Sequence, residues 1–331
     1  MSTFWQGKRV LVTGAGGFIG SHLVESLLLR GARVRAFVRY NSRGDAGLLR
    51  LVPAGLADHL EVVAGDLREW QAIRQVVKDC EVVFHLGALI SIPYSYHHPF
   101  EVAETNFMGT LNVLMACHYL GVRRLVHTST SEVYGTARQA PIDEGHPLQG
   151  QSPYSASKIG ADKLAESFFC AYNLPVVTVR PFNTFGPRQS ARAVIPAIIT
   201  QALVNSTIQL GNLATTRDFT YVSDTVRGFI LAAEAEHVEG QVFNLGTGQE
   251  TSIGDLARKI IRMVGRPVEI MLDPERSRPE PSEVLRLLSD NSLARQRLGW
   301  GPEVTLDEGL DQTIAWIRDH LDLYRVGTYE F

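Results

Sequence analysis

The sequence predicts an α/β fold with a doubly wound parallel sheet and a smaller C-terminal domain, and three observations indicate it. Through the first half of the chain, short apolar segments alternate with longer segments of helical pattern, which is typical of strands joined by crossover helices. Several of these segments are apolar nearly throughout, as expected when helices cover both faces of the sheet. After Pro181 the alternation becomes irregular, so we expect the chain to enter a different domain there.

The predicted strands of the sheet, in chain order, are RVLVTG, RVRAFV, LEVVAG, CEVVFHLG, RRLVHTST and PVVTVRP. We therefore place the first domain at residues 1–180 and the second mainly at 181–331, with some segments, such as 218–248, returning to the first. After residue 181, RDFTYVSDTVRGFILAAEA predicts a strand and a helix, and GQVFNLGTG predicts another strand. The segment LDPERSRPEPSEV predicts a loop, and LDEGLDQTIAWIRDHL predicts the last helix.

Composition restricts the classes of function. The chain has 45% apolar and 20% charged residues with a formal net charge of −3, which excludes a disordered protein and an overall basic field that would attract nucleic acid or a membrane surface. No apolar run approaches the ~18 residues of a membrane span, and no signal-peptide pattern opens the sequence, so we expect a cytoplasmic protein. Cys80, Cys117 and Cys170 are odd in number and widely spaced, which predicts buried thiols and neither a disulfide framework nor a metal cluster.

A glycine-rich turn follows the first predicted strand and opens the first predicted helix. Its glycines, Gly14, Gly17 and Gly20, do not fit G-x-G-x-x-G but fit T-G-x-x-G-x-x-G, the form found in short-chain dehydrogenase/reductases, which this region resembles. Glycines in such a turn let backbone N–H groups approach a pyrophosphate at the helix N-terminus. The other interpretation is a glycine turn that binds nothing, but the flanking strand and helix favour a dinucleotide site.

The residues after the second strand indicate which dinucleotide is bound. NAD sites of this type usually carry an acidic residue there to hold the ribose hydroxyls, whereas this sequence reads AFVRYNSRG. Arg39 and Arg43 offer guanidinium groups suited to a 2′-phosphate. NADP is therefore the predicted cofactor, tightly bound and recycled, with NAD as the alternative; in the other interpretation Arg39 simply faces solvent.

Two further motifs carry the predicted chemistry. YSASK places Tyr154 and Lys158 four residues apart on one face of a helix. The ammonium of Lys158 and a cationic nicotinamide ring would lower the pKa of the Tyr154 phenol, ordinarily near 10, and make it a base. Upstream, TSTSEVYG places the acidic residue Glu132 among hydroxyl side chains. The alternative for the tyrosine and lysine is an incidental pair on a surface helix.

Together the motifs TGAGGFIG, GDL, HLGA, TSTSEVYG, YSASK, RPFNTFGPR and RDFTYVSD resemble the extended short-chain dehydrogenase/reductases that act on nucleotide sugars. The resemblance implies an NAD(P)-binding Rossmann-type domain and a smaller C-terminal substrate-binding domain. It implies that Thr130, Tyr154 and Lys158 act at the sugar 4-hydroxyl. The cofactor contacts that it implies are Gly14, Gly17, Phe18, Ile19, Gly20, Arg39, Asn41, Ser42, Arg43, Asp66, Leu67, Leu86, Ala88, Tyr154 and Lys158. An acid such as Asp66 at a strand end is also common as a helix cap.

Glu132 distinguishes the reactions of this family, because simple 4-epimerases usually have a small residue at this place. Oxidation at C4 acidifies the C5 proton, which a carboxylate can remove so that the C6 hydroxyl leaves as water. The sequence therefore predicts a 4,6-dehydratase. Ser131 stands where dTDP-glucose 4,6-dehydratases have an aspartic acid, and the Thr-Ser-Glu triplet is similar to GDP-mannose 4,6-dehydratases. Serine is too weak an acid to protonate the leaving hydroxyl, so Glu132 itself would return the proton.

The resemblance also implies a site for a nucleotide-diphosphate sugar. Asn183, Arg188, Arg217 and Arg278 match positions that hold the diphosphate, for which the planar fork of arginine is suited. Ser91 matches a sugar contact. The segments FVRYNSRG, SIPYSY and TSTSEVYGTA are similar to dehydratases of the legionaminic acid pathway, which favours GDP- or UDP-N-acetylglucosamine and leaves GDP-mannose open. Any one of the arginines could instead be a surface charge.

Two rival functions stay open. The first is a 4-epimerase or decarboxylase with the same ketone chemistry, in which Glu132 would be structural. The second is a non-catalytic dinucleotide-binding regulator. His97 and His98 lack metal-ligand spacing, so no metal site is predicted. The apolar surface of two helices, around TNFMGTLNVLMACHYL and ASKIGADKLAESFF, favours a homodimer.

Overall fold

A seven-stranded parallel sheet forms the centre of the computed structural model, which describes residues 3–276 and 278–326. The strands of the described residues are β1 (Arg9–Thr13), β2 (Arg33–Arg39), β3 (Leu60–Gly65), β4 (Val82–His85), β5 (Arg124–Thr128), β6 (Val176–Pro181), β7 (Asn183–Phe185), β8 (Thr207–Leu210), β9 (Thr216–Tyr221), β10 (Val242–Leu245), β11 (Glu250–Ser252) and β12 (Glu269–Leu272). The order in the central sheet is β10-β6-β5-β4-β1-β2-β3, and every neighbouring pair is parallel. All six strands predicted from the first half of the sequence lie in it, which confirms the predicted fold class.

Helices cover both faces of the sheet. The α-helices of the described residues are α1 (Phe18–Leu29), α2 (Trp70–Val77), α3 (Ile92–His97), α4 (Pro99–Ala103), α5 (Gly109–Leu120), α6 (Pro153–Tyr172), α7 (Val194–Val204), α8 (Val222–Glu234), α9 (Ile253–Val264), α10 (Ser292–Leu298) and α11 (Leu306–Asp319). A π-helical turn at Glu104–Met108 joins α4 to α5. Short 3-10 turns occur at Gly47–Leu51, Ala54–His59, Ser131–Tyr134, Pro274–Arg276, Glu280–Ser282 and Leu321–Leu323.

Strand β1 shows why the central strands are apolar nearly throughout. Side chains alternate between the two faces of a strand, and both faces of this sheet are buried. Val10 and Val12 pack in a core with α1 and α8, whereas Leu11 packs in a second core with α2 and α5. An alternating polar residue would therefore be buried against one helical layer or the other.

A capping box between Ser152 and Ser155 fixes the residue at which helix α6 begins. Ser152 Oγ accepts from the backbone N–H of Ser155 at 3.1 Å, and Ser155 Oγ accepts from the N–H of Ser152 at 2.9 Å. Pro153 occupies the first helical position, where its missing N–H costs nothing. This start places Tyr154 in the first turn of α6 and Lys158 one turn later.

The second half of the chain contributes to both parts of the molecule. Strand β10 pairs with β6 at the edge of the central sheet, and α8 packs against the same sheet. The remaining strands form two smaller units, a three-stranded sheet in the order β11-β9-β7 and a parallel β12–β8 pair, next to α7, α9 and α11. The division of the chain at residue 180 stays a prediction.

The prediction of three buried thiols is wrong for one cysteine. Cys80 and Cys117 are buried, but Cys170 is exposed. It lies near the end of α6, on the outward face of the helix, where an apolar neighbourhood in the sequence does not imply burial. All three thiols are free.

Candidate active site

The predicted site residues collect at one edge of the central sheet. Because β1, β4, β5 and β6 run parallel, their carboxyl ends meet there, and a ligand crevice of an α/β fold lies outside those ends. The glycine turn follows β1, Leu86 and Ala88 follow β4, Thr130 follows β5, and Asn183 follows β6. The topology thus brings together residues that are distant in the sequence.

The glycine turn is a tight cradle that side chains would fill. Gly14 has a φ of +68°, and a Cβ on it would lie 2.8 Å from the backbone nitrogen of Gly87. A Cβ on Gly20 would lie 2.2 Å from the carbonyl oxygen of Gly14. Gly17 caps α1 without a side chain, so the first N–H groups of the helix, at Phe18 and Ile19, have no partner within the helix and suit an anion. This geometry fits the pyrophosphate of a dinucleotide.

Arg68, an arginine that the sequence analysis missed, contacts Asp66, one of the predicted cofactor contacts. Arg68 donates to Asp66 from Nε at 3.0 Å and from Nη2 at 2.6 Å. These hydrogen bonds lower the pKa of the Asp66 carboxyl. A second missed residue, Glu101, accepts from Arg39 Nη2 at 3.1 Å. Both Arg68 and Glu101 flank predicted segments in the sequence, but no residue pattern marks them as partners.

The loop after β2 is exposed and ordered by one side chain. Asn41 Oδ1 accepts from the backbone N–H groups of Arg43 at 3.1 Å and Asp45 at 3.0 Å. Arg39, at the end of β2, has 65% of its side chain exposed. Ser42 is exposed beside Asn41 and Arg43, whereas Leu67 is buried in the core that contains α2 and α5. The loop therefore leaves guanidinium groups accessible to a ligand.

Tyr154, Lys158 and Thr130 come together as predicted for a catalytic group. Tyr154 is 6% exposed and Lys158 4% exposed. Lys158 Nζ donates to the carbonyl oxygen of Thr128 at 2.7 Å, and the side chain of Thr130 lies near enough to Tyr154 to influence the pKa of its phenol. Helix α6 thus presents both side chains to the end of β5.

Burial sets the protonation of this group. It raises the pKa of Tyr154, and the side chain of Thr130 opposes that rise. It lowers the pKa of Lys158 to about 8, and the carboxylate of Asp162 opposes that fall. The direction for Tyr154 is opposite to the one expected from the sequence, because loss of solvation dominates and the ammonium of Lys158 is directed at a backbone carbonyl. The expectation from the sequence also included the positive charge of a bound nicotinamide ring, which would lower the pKa of Tyr154.

Glu132 lies in the 3-10 turn directly after β5. Its backbone N–H donates to Thr130 Oγ1 at 3.2 Å, so the turn that holds Glu132 also fixes Thr130. Its side chain is 13% exposed, and Arg278 Nη1 lies 3.6 Å from Oε2, close enough for an ion pair but too far for a hydrogen bond. Ser131, between Thr130 and Glu132, is buried.

The arginines predicted to hold the diphosphate pair with different carboxylates. Arg217 is buried and lies 3.7 Å from Glu283 Oε1. Burial lowers its pKa, while Glu132 and Glu283 raise it and Arg278 lowers it, so Arg217 and Arg278 share one cluster with two carboxylates. Arg188 lies elsewhere: its Nη2 contacts Glu25 Oε2 on α1 at 2.6 Å. Arg188 thus pairs with a carboxylate of α1, whereas Arg217 and Arg278 face Glu283 and Glu132.

The two uncharged predictions differ in their surroundings. Asn183 Oδ1 is buried, and no group among residues 3–276 and 278–326 donates a hydrogen bond to it, so a ligand donor would complete its bonding. Ser91 caps α3, and its Oγ accepts from the N–H of Tyr94 at 3.3 Å. That capping role occupies Ser91 without excluding a sugar contact. The roles of all these residues stay predictions.

The described residues were also compared with the requirements of a metal site and of a membrane-spanning helix. Within the described part of the chain, no three histidine, cysteine, aspartate or glutamate side chains gather so that they could hold a metal ion. In the same residues, none of the helices has both the length and the apolar character that a membrane crossing requires.

Comparison with known proteins covers nearly the whole chain. A family model described as GDP-mannose 4,6 dehydratase matches residues 11–313. UDP-glucose 4-epimerase of Mycolicibacterium smegmatis is 36% identical over 317 residues, which are 94% of this chain and 99% of that protein. The dTDP-D-glucose 4,6-dehydratase of Mus musculus is 30% identical, with 94% of this chain and 89% of that protein covered.

A solved structure agrees with the fold. The dTDP-glucose 4,6-dehydratase of Streptomyces venezuelae, with NAD and TYD bound, superposes with a TM-score of 0.87 at 30% identity, covering 96% of this chain and 99% of that one. The family match and the relatives named as 4,6-dehydratases and 4-epimerases confirm the resemblance seen in the motifs. The chain therefore belongs to the GDP-mannose 4,6-dehydratase family of nucleotide-sugar enzymes, within the extended short-chain dehydrogenase/reductases.

Proposed function

We propose that this enzyme is a nucleotide-sugar 4,6-dehydratase that converts an NDP-hexose to the NDP-4-keto-6-deoxyhexose. The observation that carries the proposal is the placement of Glu132: a largely buried carboxylate lies one turn after β5, next to Thr130 and on the same site edge as Tyr154 and Lys158. An epimerase needs the three hydroxyl and amine side chains but no carboxylate at this place.

The first half of the reaction is oxidation at C4. The glycine turn after β1 would hold a nicotinamide dinucleotide, which when bound would supply an acceptor for the C4 hydride and its return to C6. Tyr154 takes the proton of the 4-hydroxyl, with Thr130 holding that hydroxyl by a hydrogen bond. Because burial raises the pKa of the phenol, the positive charges of Lys158 and of the oxidised nicotinamide ring would be needed to favour the phenolate. The sugar is then a 4-ketone, whose C5 proton is acidic.

The second half is water loss. Glu132 removes the C5 proton, the C6–O bond breaks, and the departing hydroxide leaves as water with the proton that Glu132 returns. The hydride would add to C6 and C5 would take a proton from solvent, while Tyr154 releases the 4-hydroxyl proton to solvent, so the net change is the loss of one water molecule. Ser131 has no acidic proton to contribute at neutral pH, which is why Glu132 carries both transfers.

The diphosphate of the substrate would lie against Arg217 and Arg278. Two guanidinium groups in one partly buried cluster suit two phosphate groups. For the nucleotide sugar we propose GDP- or UDP-N-acetylglucosamine, or GDP-mannose, from the motifs given above. The buried, unpartnered oxygen of Asn183 supports a ligand donor on the same side.

The mass of the product tests the proposal. On incubation with GDP-, UDP- and dTDP-linked hexoses, we expect one of them to yield a product lighter than its substrate by one water molecule. A product of unchanged mass would favour the rival 4-epimerase, which the 36% identity to an epimerase supports. A decarboxylase would release carbon dioxide. No reduction of bound cofactor by any of these sugars would favour the non-catalytic regulator.

We further propose NADP as the cofactor, with NAD as the alternative. No acidic residue ends β2, and the guanidinium of Arg39 is largely exposed where a 2′-phosphate would lie. The phosphate would compete with Glu101 for that guanidinium. Against the proposal stand the structures of relatives from Streptomyces venezuelae and Bacillus anthracis, both of which contain NAD.

We expect the enzyme freed of its cofactor to bind NADP more tightly than NAD. Replacement Arg39→Ala removes a charged hydrogen-bond donor, so the dissociation constant for NADP should rise by about 10- to 100-fold while that for NAD changes little. Calorimetric titration measures both constants. Arg258→Ala, which removes an exposed arginine of α9, serves as the matched control. Tighter binding of NAD by the unmodified enzyme would contradict the proposal.

A homodimer through α5 and α6 is the proposed assembly. Met108, Tyr119 and Leu120 are exposed apolar side chains at or next to α5, and a second copy of the chain would cover them. This proposal rests on exposed surface and on the resemblance to the family.

A further inference from the structure

A buried carboxylate lies one helical turn beyond the catalytic lysine. Asp162 of α6 is 5% exposed and follows Lys158 by four residues. Its Oδ2 accepts from Ser129 Oγ at 2.7 Å and from Arg180 Nη2 at 2.9 Å, and its Oδ1 lies 3.2 Å from His127 Nε2. The carboxylate therefore contacts β5, the residue after β5, and β6 at once.

The hydrogen bond from Ser129 to Asp162 matters because Ser129 lies between two residues of the predicted catalytic group. Ser129 lies between Thr128, whose carbonyl oxygen accepts from Lys158, and Thr130, whose side chain lies near Tyr154. The hydrogen bond from Ser129 to Asp162 is the third link between this segment and α6. All three links run from consecutive residues of one chain segment to positions one turn apart on one helix.

We propose that Asp162 is a positioning residue that holds the end of β5 against α6 and so fixes the distance of Thr130 from Tyr154 and Lys158. Arg180 in turn holds Asp162 in place, and its Nη1 donates to the hydroxyl of Tyr134 at 2.9 Å. Asp162 itself touches neither the predicted substrate nor the predicted cofactor position. It acts through Ser129 and through its charge.

The negative charge of Asp162 raises the pKa of Lys158, and the two histidines near the ammonium are uncharged at pH 7. Within residues 3–276 and 278–326, the titratable groups that interact with the ammonium are Asp162 from α6, His85 from β4 and His127 from β5. Burial lowers the pKa of both histidines, so both are neutral at pH 7. Although burial also opposes ionisation of Asp162, His127, Arg180 and Ser129 keep its pKa below the usual range. Asp162 thus favours the protonated form of Lys158, whose pKa is about 8.

Two replacements separate position from charge. Ser129→Ala removes one hydrogen bond and no charge, whereas Asp162→Asn keeps the shape and removes the charge. The inference rests on the proposed function only in requiring a nucleotide sugar that reduces the bound cofactor. Three quantities are measured for each variant: kcat and KM for cofactor reduction, the pH dependence of kcat, and hydrogen exchange of the peptide spanning residues 127–134. Asp255→Asn, an exposed aspartate of α9, is the matched control.

We expect Ser129→Ala to lower kcat about tenfold, the effect of one lost buried hydrogen bond, with KM nearly unchanged and the pH dependence of kcat unchanged. We expect Asp162→Asn to lower kcat by about 100-fold, because loss of the charge weakens the hydrogen bonds from Ser129 and Arg180 that hold the segment, in addition to removing the negative charge near Lys158. It should also move the fall of kcat at high pH to lower pH, because Lys158 loses a neighbouring negative charge. In both variants the 127–134 peptide should exchange faster.

Unchanged exchange of this peptide together with unchanged kcat in Ser129→Ala would overturn the inference. If Asp162→Asn fails to fold because Arg180 is left buried without a counter-charge, Ser129→Ala alone decides. If the unmodified enzyme reduces no cofactor, the proposed function fails, and the exchange measurement still tests whether Asp162 and Ser129 hold this segment.

Discussion

The Glu132→Gln enzyme is expected to oxidise its substrate at C4 but to release almost no water. Glutamine keeps the shape of the side chain but cannot accept the C5 proton, so elimination should slow by about 10²- to 10⁴-fold, the usual contribution of a general base. The bound cofactor should therefore accumulate in its reduced form, which its absorbance reports. Exchange of the C5 hydrogen with deuterated solvent, followed by mass spectrometry, should slow to the same degree.

A matched control addresses the loss of charge. Glu283, like Glu132, is a carboxylate facing the arginine cluster, so Glu283→Gln changes the charge there by the same amount. Water loss should persist in Glu283→Gln at a rate well above that of Glu132→Gln. Retained C5 exchange in Glu132→Gln would mean that another group is the base. Loss of C4 oxidation in that variant would mean that Glu132 has a structural role, as the epimerase alternative requires.

The second large effect is expected from Tyr154→Phe. The replacement removes only the phenolic oxygen, and with it the group that accepts the proton of the 4-hydroxyl, so C4 oxidation should slow by at least ~10²-fold. Neither reduced cofactor nor ketone should form. Because Thr130 keeps its place in the turn after β5, substrate affinity should change little, so the loss should appear in kcat.

Tyr172→Phe provides the comparison for this experiment. Tyr172 lies at the end of the same helix with 54% of its surface exposed, so the loss of its hydroxyl should leave the rate unchanged. Single-turnover reduction of bound cofactor measures the chemical step directly. A Tyr154→Phe enzyme that reduces its cofactor at the rate of the unmodified enzyme would refute the assignment of the base.

Patterns within the sequence were sufficient for the sheet and the cofactor turn. The segments RVLVTG and PVVTVRP are apolar on both faces because both faces are buried, and this property is readable without knowing which helix covers which face. The glycines at 14, 17 and 20 are equally local, since the closest approach at Gly20 comes from Gly14 in the same turn. The four-residue spacing of Tyr154 and Lys158 and the cap at Ser152 also depend only on neighbours in the chain.

Contacts between distant segments could not be predicted in this way. Nothing near Glu132 indicates that Arg278 faces it, and nothing near Arg188 indicates that it contacts Glu25. The burial that raises the pKa of Tyr154 was also not predicted, because it depends on how completely the sheet and α3 enclose the first turn of α6.

The sequence by itself determined the fold class, the dinucleotide turn and the identity of the residues that gather at the strand ends. Only the tertiary structure decided which polar and charged groups pair there. Asp162 accepts hydrogen bonds from Ser129 and Arg180, and Arg217 lies near Glu283. The physical reason is that periodic burial and turn geometry are local properties of a chain. Pairing and desolvation, in contrast, depend on distances between segments that only the folded molecule sets.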